Sequence, residues 1–135
     1  MSPSTLDDLG KLILRVTLGV LILLHGIAKL QHGVGPIESM MAARGLPAFL
    51  AWAVYLGEVL APALVILGLY ARLGGLLIAV NMVVAIVLVH SGQLLQMANG
   101  GWRLELQGMY LSAALAVALF GAGRFSLGGR GGQWN

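Results

Sequence analysis

The sequence predicts an all-α integral membrane protein, a four-helix bundle with a short interfacial helix between helices 1 and 2. Hydrophobic residues make up 59% of the 135 residues and charged residues only 10%, against about 45–50% and 25% in soluble domains. Eight Lys or Arg and five Asp or Glu residues are too few to cover such a chain with charge. Between them lie four apolar segments, each near the roughly 20 residues that span a bilayer core.

The first predicted span covers residues 11–30. Asp7 and Asp8 precede it and no small-residue cleavage site follows it, so we expect a retained transmembrane helix rather than a signal peptide. The link that follows, residues 31–45, contains glycines, a proline and then a short apolar segment. This pattern predicts a turn and a brief helix that lies on the membrane surface.

The second predicted span, residues 46–70, contains one ionisable residue, Glu58. Glu58 lies about eleven residues into the span, which places it near the middle of the membrane at a rise of about 1.5 Å per residue. The third predicted span, residues 73–92, is free of Asp, Glu, Lys and Arg, and Asn81 lies near its centre.

A polar link with an interfacial Trp102 leads to the fourth predicted span, residues 104–121. The glycine-rich tail, residues 124–135, is predicted to be flexible. We therefore expect residues 1–135 to form a single membrane domain.

Basic residues in the links predict the orientation. If the N-terminus is cytoplasmic, five basic residues lie on that side and three on the other, and the excess favours both termini inside. The five are Lys11, Arg15, Arg72, Arg124 and Arg130, and the three are Lys29, Arg44 and Arg103.

Each span carries small and polar residues at helical spacing, as expected for faces that point into one bundle. The predicted inward residues are Arg15, Gly19, Ile22, His25, Gly26 and Lys29; Ala51, Tyr55, Glu58, Ala61, Pro62 and Val65; Gly74, Ile78, Asn81 and Ala85; and Glu105, Gly108, Ser112 and Ala116.

Polar residues inside a membrane often mark functional sites. An uncompensated carboxylate at the depth of Glu58 is costly, so we expect it to be protonated or paired, with His25 and Lys29 as its partners. Structural roles remain open for all of these residues, and Arg72 and Arg124 are assigned to structure and topology. The predicted polar intramembrane pocket consists of His25, Lys29, Glu58, Asn81, His90 and Glu105.

The composition excludes several functions. The absence of Cys rules out a disulfide relay, a thiolate nucleophile, a cysteine-ligated iron–sulfur cluster and a zinc ribbon, and no metal site is predicted. The basic residues are scattered and form no patch, so nucleic acid is not an expected partner.

Three blocks of the sequence are characteristic: LRVTLGVLILLHGIAKL, GEVLAPALVILGLYARLGGLLIAVNM and GGWRLELQGMYLSAALAVALFGAGRFSL. In this order they resemble successive blocks of the DoxX family over nearly the whole chain. The resemblance implies a four-helix protein of the bacterial inner membrane. Gly128 stands where the family often has an aspartate after the closing Ser-Leu. The family pattern maps onto His25, Gly26, Lys29, Glu58, Arg72, Glu105, Gly123 and Arg124.

The resemblance also implies a function. DoxX members resemble small subunits of quinone-linked oxidoreductases, including thiosulfate:quinone systems, or membrane anchors of redox complexes linked to oxidative, thiol or quinone stress. We therefore expect a membrane subunit or anchor of such a complex, with a pocket that binds quinone or another small molecule. The chain has no flavin fingerprint, so we expect no intrinsic cofactor and no catalysis by this chain alone.

Three alternatives remain from the residues themselves. Glu58 could be the coupling acid of a proton or small-solute transporter, or the polar residues could only specify helix pairing in a membrane scaffold. Haem held by His25 and His90 is disfavoured, because His90 is predicted to lie nearer the surface. The expected partners are the lipid bilayer and a soluble or membrane redox enzyme, or a second copy of the chain.

Overall fold

The first helix begins at Pro3, and Ser2 caps its N-terminus. In the computed structural model, which describes all 135 residues, the backbone N–H of Thr5 donates to the Ser2 hydroxyl at 3.3 Å. Pro3 occupies the first turn, where a missing N–H costs nothing. The helix ends at His32, and its C-cap residue Gly33 has a φ of +78°, in the left-handed range.

Five α-helices follow one another, with one two-stranded hairpin before the last. The helices are α1 (Pro3–His32), α2 (Gly35–Ala43), α3 (Ala61–Leu67), α4 (Ala71–Val89) and α5 (Glu105–Phe120), and strand β1 (Met97–Ala98) pairs antiparallel with β2 (Gly101–Trp102).

Three segments are long and apolar enough to cross a membrane: α1, residues Ala48–Leu67, and α4. The predicted fold class, a helical membrane protein, is therefore confirmed. Helix α5 is also apolar but has 16 residues, or about 24 Å at 1.5 Å per residue, so the fourth complete span stays a prediction. A helix does form in the first link, α2, and its position at the membrane surface likewise stays a prediction.

The second span is not one regular helix. It consists of a 3₁₀ segment, Ala48–Ala53, then a π-helical turn, Leu56–Leu60, and then α3. In the π-turn the N–H of Ala61 donates to the carbonyl of Leu56, five residues back. Pro62 follows directly and has no N–H to give to a carbonyl four residues earlier, which disrupts the regular α-helical pattern at this place.

The core lies between α1, α3, α4 and α5. It is built from apolar side chains and from close backbone approaches at small residues. A Cβ on Gly26 of α1 would run into the main-chain carbonyl of Glu58, and a Cβ on Gly75 of α4 would lie 2.8 Å from the carbonyl of Ala114 in α5. Small residues therefore set the helix spacing, as expected where lipid gives no hydrophobic drive between helices.

The predicted inward face of the last helix was wrong. Ala114 and Val117 are the buried residues of α5, whereas Glu105 and Ser112 are exposed. Helix α5 packs on α4 around Gly75, and this contact selects the Ala114 face.

The glycine-rich tail folds back onto the bundle, and its predicted flexibility stays a prediction. The N–H groups of Leu127 and Gly128 donate to the carbonyls of Leu67 and Gly68 at 3.0 and 3.1 Å, and the N–H of Arg72 donates to the Trp134 carbonyl at 2.9 Å. Residues 3–8, 68–70 and 121–135 thus form one end of the molecule, the tail end. Residues 32–47 and 90–104 form the other, the loop end.

Candidate functional site

The principal cavity has a volume of about 440 Å³ and lies between the second span, α4 and α2. Fourteen of its nineteen lining residues are hydrophobic, as is usual for small-molecule sites with a few placed polar groups. Four of the six predicted site residues line this cavity: Lys29, Glu58, Asn81 and His90.

An ion pair and an amide form the polar end of the cavity. Lys29 Nζ lies 2.5 Å from Glu58 Oε2, and Asn81 Nδ2 donates to Glu58 Oε1 at 3.2 Å. The Glu58 side chain is 8% exposed and that of Lys29 is 27% exposed. Both carboxylate oxygens therefore have a donor, which offsets part of the cost of removing the charges from water.

The π-turn positions the Glu58 side chain. Glu58 is its central residue, and π-turns within helices are frequent at functional sites. Its neighbour Gly57 lies against Asn81, and a Cβ on Gly57 would fall 2.5 Å from the Asn81 Cβ. Residue 57 must be a glycine for α4 to pack closely enough that the Asn81 amide reaches the Glu58 carboxylate.

Lys29 reaches Glu58 from the last turn of α1. The Tyr55 hydroxyl donates to the Lys29 main-chain carbonyl at 3.0 Å, and the N–H of Gly33 donates to the same oxygen at 2.7 Å. The end of α1 is thereby tied to the second span, and the lysine is positioned through its backbone as well as its side chain.

His90 lies at the loop-end limit of the cavity, just after α4. Its Nδ1 is 3.0 Å from Gln93 Oε1. Since an amide oxygen only accepts, Nδ1 is the donor in this contact.

His25 and Glu105 lie outside the cavity, and the prediction that His25 pairs with Glu58 was wrong. The His25 ring is exposed and meets Tyr110 of α5 edge-on at 6.2 Å between centroids. At about 100° per residue, His25 lies about 80° from Arg15 around α1, at the edge of the buried face, and so turns toward α5. Glu105 is exposed in the first turn of α5, beside Gly101.

The two histidines therefore do not face a common cavity, which gives no support to haem held between them. No group of three or more His, Cys, Asp or Glu residues is arranged to hold a metal ion.

Sequence reasoning missed a buried polar network at the tail end. Arg15 is 1% exposed, and its guanidinium donates to the carbonyls of Val65, Ile66 and Phe125 at 2.8, 3.2 and 2.6 Å. The first two carbonyls end α3, where a cation is favoured by the helix dipole. Arg15 thus joins α1, α3 and the tail, which is more than the topological role predicted for it.

Asp8 is the acid of this network and is also 1% exposed. It pairs with Arg130, and the N–H of Arg124 donates to its Oδ1 at 3.1 Å. The hydrogen bond to the Asp8 carboxylate raises the pKa of Arg130 above its ordinary value. One signal was available in the sequence: Asp8 precedes Arg15 by seven residues, two helical turns, and therefore shares its face.

Arg72 and Arg124, the two residues assigned to structure and topology, contact different parts of the chain. Arg72 donates to the carbonyls of Ala118 and Leu119 at 3.3 and 2.5 Å, at the C-terminus of α5. The Arg124 side chain donates to the Thr5 hydroxyl at 3.2 Å.

Comparison with known proteins identifies the family of the chain. The protein of Bacillus subtilis (strain 168) named "Putative oxidoreductase CatD" is 35% identical over 82 residues, which cover 61% of this chain and 60% of that protein. The match thus spans less than two thirds of that relative's length. No solved structure matches the chain. The DoxX family model matches residues 10–91, which include α1 from residue 10 onward, the π-turn with Glu58, and α4. The chain belongs to the DoxX family.

Proposed function

We propose that this protein is a membrane subunit of a redox complex and that its intramembrane cavity binds a quinone. One observation carries the proposal: the Lys29–Glu58–Asn81 group lies at one end of a largely apolar cavity of about 440 Å³. An engineered cavity of about 150 Å³ holds benzene, so there is room for a ring with part of an apolar tail.

The polar end has the chemistry that a quinone carbonyl needs. A lysine ammonium has three N–H donors, and one of them is used on Glu58. The other two can donate to a carbonyl oxygen. Reduction of a quinone to a quinol takes up two electrons and two protons. In the proposal a partner enzyme supplies the two electrons and water supplies the two protons. The Lys29 ammonium donates one proton to the reduced oxygen beside it and is protonated again from water, the other oxygen takes its proton from water, and the Glu58 carboxylate holds the ammonium in place.

The name of the B. subtilis relative supports the redox assignment, since it is described as an oxidoreductase. Because the match covers 60% of that protein, its activity is transferred here only as part of the proposal. The partner in this proposal is a soluble or membrane enzyme that carries its own redox cofactor.

Packing on the tail-end side of Glu58 favours binding over transport. Ile22, Val65 and Ile78 are each at most 1% exposed and close the bundle there. A solute or proton route through the protein would have to open this apolar packing, whereas a bound ligand needs only the cavity.

We place the protein in the bacterial inner membrane with both termini cytoplasmic. Arg72, Arg124 and Arg130 all lie at the tail end, and basic residues favour the cytoplasmic side.

The experiment measures binding of a benzoquinone probe with a decyl tail to the purified protein in lipid nanodiscs. We expect saturable binding that falls at least tenfold in Glu58→Gln and in Lys29→Met. Glu105→Gln, which makes the same change at an exposed carboxylate outside the cavity, should bind like the wild type. Circular dichroism and size-exclusion profiles establish that each variant is folded.

Two results would overturn the proposal. One is equal binding by Glu58→Gln, Lys29→Met and the wild type. The other is quinone reduction by the isolated protein with a simple soluble reductant, because the chain would then need no partner enzyme.

A further inference from the structure

The cavity is elongated along α4. Six of its α4 lining residues recur at helical spacing over twelve positions, and the first and last of them are about 16 Å apart along the helix axis at 1.5 Å per residue. The cavity is thus a slot that runs from the middle of α4 toward its loop end. The residues of this face are Leu77, Val80, Asn81, Val84, Ala85 and Leu88.

One side of the slot is open toward lipid. Val80 and Val84 of α4 are 54% and 44% exposed, and Leu50 and Leu56 of the second span are 39% and 52% exposed. All four line the slot. They belong to the two segments that are long and apolar enough to cross a membrane, so their exposed surface faces acyl chains. The opening therefore lies between the second span and α4.

The side toward water is covered. Met41 of α2 is buried with Val34 and Ala51, and Val54 and Leu88 pack against them. This small apolar cluster closes the loop end of the slot. A water-soluble molecule would have to displace α2, whereas a molecule dissolved in the bilayer meets the open side directly.

The polar end of the slot carries no net charge. Lys29 and Glu58 form a pair with no net charge, and Asn81 adds a neutral amide. A charged headgroup brought to this depth would stay uncompensated and would be costly in the low-dielectric interior. A neutral headgroup that accepts hydrogen bonds can instead take the free N–H groups of Lys29.

We infer that the cavity takes a neutral, carbonyl-bearing amphiphile that enters sideways from the bilayer, between the second span and α4, with its polar head toward Lys29 and Glu58. The inference rests on the proposed function in taking this cavity as the binding site. It adds the route of entry and excludes charged lipids as ligands.

The test narrows the opening without touching the polar end. Val84→Phe places a bulky ring on the rim of the slot. Val83→Phe makes the same change one residue earlier, about 100° around α4, at a side chain that is 47% exposed and does not line the slot. Binding is measured in nanodiscs with three probes: the decyl benzoquinone, a decyl ketone that is neutral but has no redox chemistry, and decanoate.

We expect Val84→Phe to slow association of the quinone at least tenfold, while Val83→Phe leaves it unchanged. Decanoate should not compete at concentrations at which the ketone does. Equal thermal stability of the two variants establishes that the difference reflects the opening and not misfolding.

The outcomes separate this inference from the proposed function. If the quinone binds to both variants with the wild-type rate, or if decanoate competes as well as the ketone, the inference is overturned while the quinone site stands. If the ketone binds in a manner sensitive to Val84→Phe and the quinone does not bind, lateral entry is supported and the redox assignment fails. If no probe binds the wild type, both are wrong.

Discussion

Gly57 and Asn81 are in contact across the second span and α4, at a distance that only a glycine permits. A Cβ on residue 57 would lie 2.5 Å from the Asn81 Cβ and 2.9 Å from its Oδ1. Because Asn81 is a donor to Glu58, this contact controls how the carboxylate is held.

The first prediction concerns this contact. Gly57→Ala should force Asn81 or α4 to move and should lower the free energy of unfolding by about 1–3 kcal/mol, as overpacking does. Thermal unfolding in detergent measures it. Gly10→Ala is the control, since a Cβ there meets nothing within 4 Å and alanine is favoured in a helix by up to about 1 kcal/mol. Equal stability of Gly57→Ala and wild type would show that this approach does not constrain the site.

The second prediction concerns the ion pair. Glu58→Gln and Lys29→Met should each destabilise the protein by about 1–3 kcal/mol, because each leaves the other group without its hydrogen-bond partner in a pair that is only partly buried. The double variant should lose less stability than the two single variants lose together, and the difference measures the coupling free energy between the two side chains. Purely additive losses would mean that the pair is not formed in the membrane. Glu105→Gln, at an exposed site, should change stability by less than about 0.5 kcal/mol.

The third prediction concerns the tail. Asp8→Asn removes the carboxylate that pairs with Arg130, so the tail should loosen and trypsin should cut after Arg124 and Arg130 severalfold faster. Asp7→Asn is the matched control, since the neighbouring acid is exposed and has no such partner. Mass spectrometry of the fragments over time checks the result, and identical rates in both variants would contradict the assigned role of Asp8.

The fourth prediction concerns orientation. The chain has no Cys, so single cysteines give a signal without background. Leu127→Cys at the tail end and Leu95→Cys at the loop end replace side chains that are 71% and 97% exposed. In intact cells, or in spheroplasts where an outer membrane must first be removed, a membrane-impermeant maleimide should label residue 95 and not residue 127. The reverse pattern would place the tail end outside.

The Lys29–Glu58 pair was predictable from the sequence because burying an unpaired carboxylate in a membrane is costly. A carboxylate at mid-membrane needs a partner, and α1 offered two basic candidates. Which candidate it is depends on how α1 is rotated against the second span, and this rotation is set by the approach of Gly26 to the Glu58 backbone. Helical spacing alone places His25 and Lys29 on nearly the same face, so it does not separate them.

Features that depend on distant backbone contacts were not predictable in this way. The glycine content of residues 124–135 is typical of a flexible segment and does not reveal that their backbone forms hydrogen bonds with Leu67, Gly68 and Arg72. The hairpin before α5, by contrast, had a local signal that was overlooked. Asn99 and Gly100 both have positive φ, and Asn-Gly is the preferred dipeptide of two-residue hairpin turns.

The π-turn at Leu56–Leu60 also bears on how this sequence tolerates length changes. A π-turn holds one more residue than the α-helical turn it replaces. Because the wide turn absorbs this extra residue, deleting one residue there would restore a regular α-helix and leave the flanking positions of the span on nearly the same faces. The change would instead fall on Glu58, the central residue of the turn, which would lose the backbone position from which its carboxylate meets Lys29 and Asn81. Relatives that keep the acid should therefore also keep the surplus residue.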